Sequence, residues 1–285
     1  MDQSTTSATN ADQITYWNSR AGETWAAMQK RIDAQIDPLG VTAIERLAPA
    51  HGEKTLDIGC GCGTTTLELA RRVGASGHVA AVDISKPMLD VARRAAGEAR
   101  VQNVTFLEAD AQTYAFPPGS FDALFSRFGV MFFSDPVAAF KNLHAALKPG
   151  SGRLAFVCWR KLSENPWMAT PVKAAMQHLP PQPPPDPHAP GPFAFADAAR
   201  VKGILTEAGF ADVALAPHDQ KIELGMLKQA IEHCTRVGPL GRLLTENPDA
   251  VDPVIDTLRE TLRAFETNGV VRMDSGVWIV SARAA

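Results

Sequence analysis

The sequence predicts an α/β fold built on a largely parallel sheet. Three observations lead there. Short apolar segments of strand length alternate with amphipathic stretches of roughly ten residues between positions 55 and 160. A glycine-rich turn, Gly59-Cys60-Gly61-Cys62-Gly63, joins the first strand to the helix after it. Acidic residues recur where successive strands end, at Asp57, Asp83 and Asp110. Alternation of this kind means βαβ units, whose right-handed crossovers gather the strand C-termini along one edge, where ligands bind.

Residues 1–12 are small and polar and read as a flexible tail. Residues 13–50 read as a helical lid. Trp17, Ala21, Trp25 and Met28 recur at spacings of four and three, and a second helix is expected from Pro38 to Leu47, since proline suits a first helical position. The core follows over 51–160. A strand from Thr55, carrying Leu56 and Ile58, enters the glycine turn, and Thr64–Val73 is a helix stopped by Gly74 and Gly77. His78–Ile84 is a strand. Ser85 then caps a helix reaching Ala99, with Pro87 in its first turn. Val104–Glu108 and Ala123–Phe125 are strands. Asp135 caps a helix to Leu147, Lys148-Pro149-Gly150 ends it, and Arg153–Trp159 is the next strand.

Beyond 160 the rhythm breaks. Residues 161–196 form a proline-rich insertion; eight of the thirteen residues from Pro180 to Pro192 are proline, which excludes a helix or an inner strand there. Residues 197–285 return to the core. Asp197–Ala208 is a helix, Val213–Leu224 an interrupted strand, and 225–268 a helical insertion broken at Gly238-Pro239 and Pro248. Val277–Ala282 is a final strand.

Composition removes several function classes. Hydrophobic residues are 45% and charged residues 21% of 285, as in an ordinary globular chain, and the formal net charge is −3. There is no basic excess for a phosphate backbone, so no nucleic-acid partner is expected. No apolar run has membrane-spanning length, so no membrane partner is expected, and the polar N-terminus does not read as a secretory signal. The four cysteines lack the spacing of a zinc site or a disulfide framework. No metal is expected, and a cytoplasmic location is.

The chemistry concentrates in Asp57–Gly63. Glycines let a chain turn sharply at a strand end and approach a ligand without a Cβ in the way, and the following helix presents free N–H groups. Asp57, ahead of the glycines, opposes a pyrophosphate but suits a ligand bearing an ammonium or sulfonium. Asp83 suits a ribose diol, and Asp110 can accept from an exocyclic amine. Asp83 has a plainer alternative as a helix-capping or surface acid, and Asp110 as a turn residue.

Taken together, Asp57–Gly63, Val82-Asp83-Ile84, Glu108-Ala109-Asp110-Ala111, Phe121-Asp122-Ala123-Leu124 and Leu147-Lys148-Pro149-Gly150 resemble the successive motifs of class I S-adenosylmethionine-dependent methyltransferases. The resemblance covers residues 40–160, and 195–285 by element order. It implies a Rossmann-like, doubly wound sheet of seven strands, mostly parallel, with an antiparallel last strand inserted between two parallel neighbours. It also implies S-adenosyl-L-methionine as cofactor. On that basis Gly59, Cys60, Gly61 and Gly63 pass the methionine and ribose portions, and Asp57 lies near the amino end. Asp83 takes the ribose, Ile84 and Met88 flank the adenine, and Asp110 and Ala111 read its edge. Ser126 and Phe128 lie near the methyl group. Cys62 departs from the usual small polar residue or alanine.

The implied activity is in-line methyl transfer to the O, N or C atom of a small-molecule acceptor. The family carries no fixed catalytic residue, because positioning and water exclusion do most of the work. His178, His188, His218 and His233 are candidate bases, while His144 reads as structural. Trp17, Trp25, Met131, Phe132, Trp159 and Trp167, with Phe193 and Phe195, are candidates to line an acceptor pocket, with simple helix packing as the competing account. A monomer or homodimer is expected. Two other functions compete. A NAD-dependent oxidoreductase is disfavoured by the Gly-x-Gly-x-Gly spacing and by Asp57. A non-catalytic S-adenosylmethionine-binding protein would lack an open acceptor cavity.

Overall fold

Lys54–Ile58 (β1) lies at the middle of the sheet, and the computed structural model, which describes residues 10–182 and 186–284, shows what surrounds it. β1 pairs in parallel with His78–Asp83 (β2) on one side and with Ala123–Arg127 (β4) on the other. Val104–Glu108 (β3) extends the first side, and Arg153–Trp159 (β5) extends the second. Two long strands complete the sheet, Phe210–Gly225 (β6) and Val270–Ala284 (β8). β8 runs antiparallel between β5 and β6, so the order is β3-β2-β1-β4-β5-β8-β6. The inserted antiparallel strand agrees with the resemblance. An eighth strand, Glu266–Thr267 (β7), pairs with the start of β8 through a turn at Asn268-Gly269. Asn-Gly is a favoured hairpin sequence, and the last helix of the insertion ends at Arg263, short of the expected boundary at 268.

Helices cover both faces. Thr64–Val73 (α3), Lys86–Glu98 (α4), Pro136–Ala146 (α5) and Ala198–Glu207 (α7) occupy the expected crossovers. The Asp135 carboxylate accepts from Ala138 N–H at 2.9 Å and the Asp197 carboxylate from Arg200 N–H at 2.9 Å, so two helix starts are capped by side chains. Phe140 on α5 meets Phe156 of β5 at 5.8 Å and Phe210 of β6 at 6.2 Å, with Phe195 at 6.2 Å. Burying each such ring contributes about 1.5–3 kcal/mol.

The N-terminal reading needs correction. Trp17 and Trp25 do not share a helix: Ala11–Trp17 (α1) ends at Asn18, and Arg20–Leu47 (α2) begins after Ser19. Asn10 is buried and α1 starts at Ala11, inside the stretch read as tail; residues 1–9 lie outside the described residues. Pro38 does not start a helix either. It sits inside α2, because the buried row Ile32, Ile36, Leu39, Ala43, Ile44 and Leu47 runs through it without a break. Pro38 and Ala34 are both exposed, so water can satisfy the carbonyl that Pro38 cannot bond.

Within the expected proline-rich insertion, Pro166–Ala175 (α6) is a helix, and the prolines at 183–185 lie outside the described residues. The expected helical insertion consists of Leu227–Arg236 (α8), Gly238–Glu246 (α9) and Val251–Arg263 (α10). The interrupted strand expected over Val213–Leu224 is instead paired continuously from Ala214 to Glu223, with register shifts only near the ends, between Ala211 and Ala214 and between Glu223 and Gly225; Pro217 is tolerated because β6 is an edge strand. No helix among the described residues is long and apolar enough to cross a membrane.

Candidate active site

The chain leaves β1 toward β2 and leaves β4 toward β5, so the sheet's topological switch lies between β1 and β4. A crevice opens there beyond the strand ends, as this architecture requires. Two loops cross at its floor. Gly59 has φ +65°, and a Cβ on it would lie 2.8 Å from Gly129 Cα; a Cβ on Gly129 would lie 2.8 Å from the Ile58 carbonyl oxygen. Only glycines permit that approach. Ser126, fully buried under the crossing, donates to the Ile58 carbonyl at 2.7 Å and accepts from Gly129 N–H at 3.2 Å.

Asp83 closes the glycine loop onto β2. Its carboxylate accepts from Gly61 N–H at 2.7 Å and from Ser85 N–H at 2.8 Å. Burial pushes this carboxyl upward, and the backbone donors pull it back. A carboxylate has about four lone-pair sites, so Asp83 keeps acceptor capacity toward the cleft. At the end of β3, Asp110 accepts from Gln112 N–H at 2.9 Å and from the Asn10 amide at 2.8 Å, both on Oδ1. The cleft is lined by Gly59, Cys60, Gly61, Asp83, Ile84, Met88, Asp110, Ala111 and Phe128 of the expected cofactor set. Asp57, Gly63 and Ser126 are not among its lining residues. Gly63 instead caps α3, and Ser126 braces the loop crossing.

Asp57 lies behind the cleft wall rather than on it. It is fully buried, and Oδ2 accepts from Thr66 at 2.7 Å and Thr65 at 3.1 Å. Burial pushes its carboxyl up to about 6, with the threonine hydroxyls and Arg127 acting the other way. The charges that line the cleft instead are Asp33 and Arg127. Arg127 donates to Asp33 at 2.7 Å and pairs with Asp37. Asp33 Oδ2 also accepts from Thr64 at 2.6 Å and Gln29 at 2.9 Å. Burial pushes Asp37 up to about 6, against the lowering by Arg127. Sequence reasoning missed this cluster. Its signal was the polar row Gln29, Asp33, Asp37 at spacings of four, one stripe of α2 beside the apolar one.

The N-terminal segment folds over the β2 and β3 ends. Ser85 donates to the Trp17 carbonyl at 2.7 Å, Asn18 donates to the Ile84 carbonyl at 2.7 Å, and Lys86 N–H donates to Asn18 at 2.9 Å. Asn10 adds a latch: Ser134 donates to its amide oxygen from N–H at 2.7 Å and from Oγ at 2.6 Å. Trp17 packs edge-on against Trp25 at 5.7 Å and Phe132 at 5.2 Å.

All six aromatic and methionine candidates, Trp17, Trp25, Met131, Phe132, Trp159 and Trp167, line this one cleft; Phe193 and Phe195 do not. Phe128 stacks on Trp159 at 4.2 Å, and it holds φ +62°, a left-handed conformation costly for a bulky residue. The cavity volume is about 170 Å³, open to solvent at its mouth. Of the histidines, only His233 lines it. His178 sits 2.7 Å from the Thr257 hydroxyl, and His144 packs on Phe210. Among the described residues no cluster of three or more His, Cys, Asp or Glu is placed to hold a metal ion.

Residues 55–150 match the family model described as a methyltransferase domain. Aklanonic acid methyltransferase DauC of Streptomyces sp. (strain C5) is 37% identical over 119 residues, 42% of this chain and 54% of that protein. A demethylmenaquinone methyltransferase of Lactococcus lactis subsp. lactis is 33% identical over 123 residues, 43% of this chain and 48% of that protein. The chain thus spans about half the length of the curated relatives it matches. The YcgJ protein of Bacillus subtilis superposes with a TM-score of 0.58 at 19% identity, over 87% of this chain and 97% of that one, a likeness of fold. Residues 55–150, the stretch that holds most of the quoted motifs, are thus similar to a methyltransferase domain.

Proposed function

We propose that this chain transfers a methyl group from S-adenosyl-L-methionine to a small, largely apolar acceptor. The observation that carries this reading is the single cleft at the switch point, polar at the ends of β2 and β3 and aromatic beyond β4 and β5. The residues present fit the cofactor. Gly59 and Gly61 leave a groove that a Cβ would fill, since a Cβ on Gly61 would lie 2.8 Å from Met88 Cε. Asp83 suits a ribose diol and Asp110 an exocyclic amine, as acceptor-only groups. Asp33 and Arg127, rather than Asp57, supply opposite charges for an amino-acid end that carries both an ammonium and a carboxylate.

When bound, the sulfonium would supply a methyl group open to in-line attack by the acceptor atom, the methyl–sulfur bond breaking as the methyl–acceptor bond forms and S-adenosylhomocysteine leaving. The chain's own residues hold and enclose. Asp83 and Asp110 fix the nucleoside, the Gly59–Gly129 crossing sets the depth of the groove, and Trp17, Trp25 and Phe132 roof it. Excluding water removes the competing nucleophile, and orientation lowers the barrier. The named acceptors of the relatives, aklanonic acid and demethylmenaquinone, are small molecules, and we place this chain's acceptor in that class.

Isothermal titration tests the reading. S-adenosylhomocysteine should bind and NAD should not. Asp83→Ala should weaken S-adenosylhomocysteine at least tenfold, a loss of about 1.4 kcal/mol, with the fold intact. Binding of NAD alone would overturn the proposal. A labelled-donor screen against a metabolite extract then identifies the acceptor.

A further inference from the structure

The aromatic end of the cleft contains polar atoms that the protein leaves without partners. Gln35 on α2 is 3% exposed, and neither its amide oxygen nor its amide nitrogen has a hydrogen bond. His233 on α8 is 2% exposed, and both ring nitrogens are unpartnered. Trp167 on α6 is buried, and its indole N–H is unpartnered. All three residues line the cleft. Trp167 and His233 also lie along one run of rings: Phe128 stacks on Trp159, Trp159 meets Trp167 at 5.2 Å, and Trp167 meets His233 at 6.0 Å. Each buried polar group left unmade is expensive, so five such atoms on three helices around one cavity call for an occupant that satisfies them.

We propose that Gln35, Trp167 and His233 read the methyl acceptor, which is a flat, uncharged ring compound carrying hydroxyl and carbonyl oxygens. The proposal rests on the function proposed above and specifies its substrate. The chemistry of the three groups sets the class. Gln35 offers a donor and an acceptor, Trp167 a donor, and a neutral imidazole one of each. None is an anion or a fixed cation. His233 stays neutral at ordinary pH because burial, and then the charge of Arg31, push it down to about 4. Arg31 pairs with Glu232 at 2.8 Å and is not among the residues that line the cleft, so it presents no charge to the acceptor. The aromatic run supplies the flat surface, Trp167 and His233 stand at its far end from Phe128, and Gln35 lines the same cleft. A hydroxyl on the acceptor donates to the imidazole or to the Gln35 oxygen, and a carbonyl accepts from Trp167 or the Gln35 amide.

The test compares 2-naphthol with its methyl ether, 2-methoxynaphthalene, as fluorescent probes on protein saturated with S-adenosylhomocysteine. The two share a ring system and differ in the ability to donate. Wild type should bind the naphthol about tenfold more tightly than the ether. His233→Phe and Gln35→Leu should each reduce that ratio to about threefold or less, with S-adenosylhomocysteine affinity unchanged within twofold. In the ligand-free protein both variants should melt at or above the wild-type temperature, because each removes polar groups that nothing satisfies. A wild-type ratio near one, a ratio the variants preserve, or variants that melt well below wild type would overturn the proposal, the last because it assigns these residues a structural bond. Failure of wild type to bind S-adenosylhomocysteine would instead refute the function on which it rests.

Discussion

Replacing Gly129 by alanine puts the loop crossing to a test in which the sign alone decides. Gly129 has φ −79° and ψ −40°, an ordinary helical conformation, so alanine brings no backbone strain there. With open space around it, the substitution would stabilise the protein by about 0.4–1 kcal/mol through the unfolded chain. The space is not open. The new Cβ would lie 2.8 Å from the Ile58 carbonyl oxygen, 2.9 Å from Gly59 Cα and 3.0 Å from Ser126 Oγ. Two of these neighbours are backbone atoms at the end of the central strand, and the third is fully buried. Relief requires the β1 and β4 loops to separate by several tenths of an ångström, and overpacking of this kind costs about 1–3 kcal/mol. The expected result is a net loss of about 1–2 kcal/mol in urea unfolding with unchanged m-value, together with weaker S-adenosylhomocysteine binding, because the groove floor moves. A Gly129→Ala protein as stable as wild type, or more so, would refute the close-crossing argument.

Two more outcomes follow from particular groups. His233 titrates near 4 in the folded chain and near 6.5 when unfolded, so between those values the unfolded chain binds the extra proton and stability falls as pH drops, by about 3 kcal/mol in all. Asp57, raised to about 6, works in the opposite direction, losing stability as pH rises from about 4 to 6. Comparing wild type with His233→Phe by urea titration cancels the Asp57 contribution; the variant's advantage should grow as pH falls from 6.5 to 4, and parallel curves would contradict the burial of a neutral imidazole. Asn10→Ala removes the latch to Asp110 and Ser134. Losing these bonds is worth about 1–2 kcal/mol locally, so amide exchange across Ala11–Trp17 should accelerate about tenfold or more, and unchanged exchange would show that other contacts hold α1 down.

Local pattern was enough for β1 to β5, the crossovers and the glycine turn, because period, caps and breakers act within a few residues of one another; it missed β7 and the first half of β8. The positions of Asp83 and Asp110 at strand ends, and the aromatic character of the added segments, were legible for the same reason. Asp57 shows where locality ends: its place ahead of the glycines looks like a ligand site, but Thr65 and Thr66 on the next helix consume one of its oxygens and burial encloses the other. Gln35, Asp33 and His233 show the converse. On their own helices they read as ordinary polar positions, and only the packing of α2, α6 and α8 over the sheet encloses them around one cavity. Burial is a property of distant segments brought together, and it turns an unremarkable amide or imidazole into an unpaired group that a ligand must meet. The sequence by itself therefore determined the parallel core of the sheet and the acids at its strand ends, whereas tertiary contact alone decided that Gln35, Asp33 and His233 join them around one cavity.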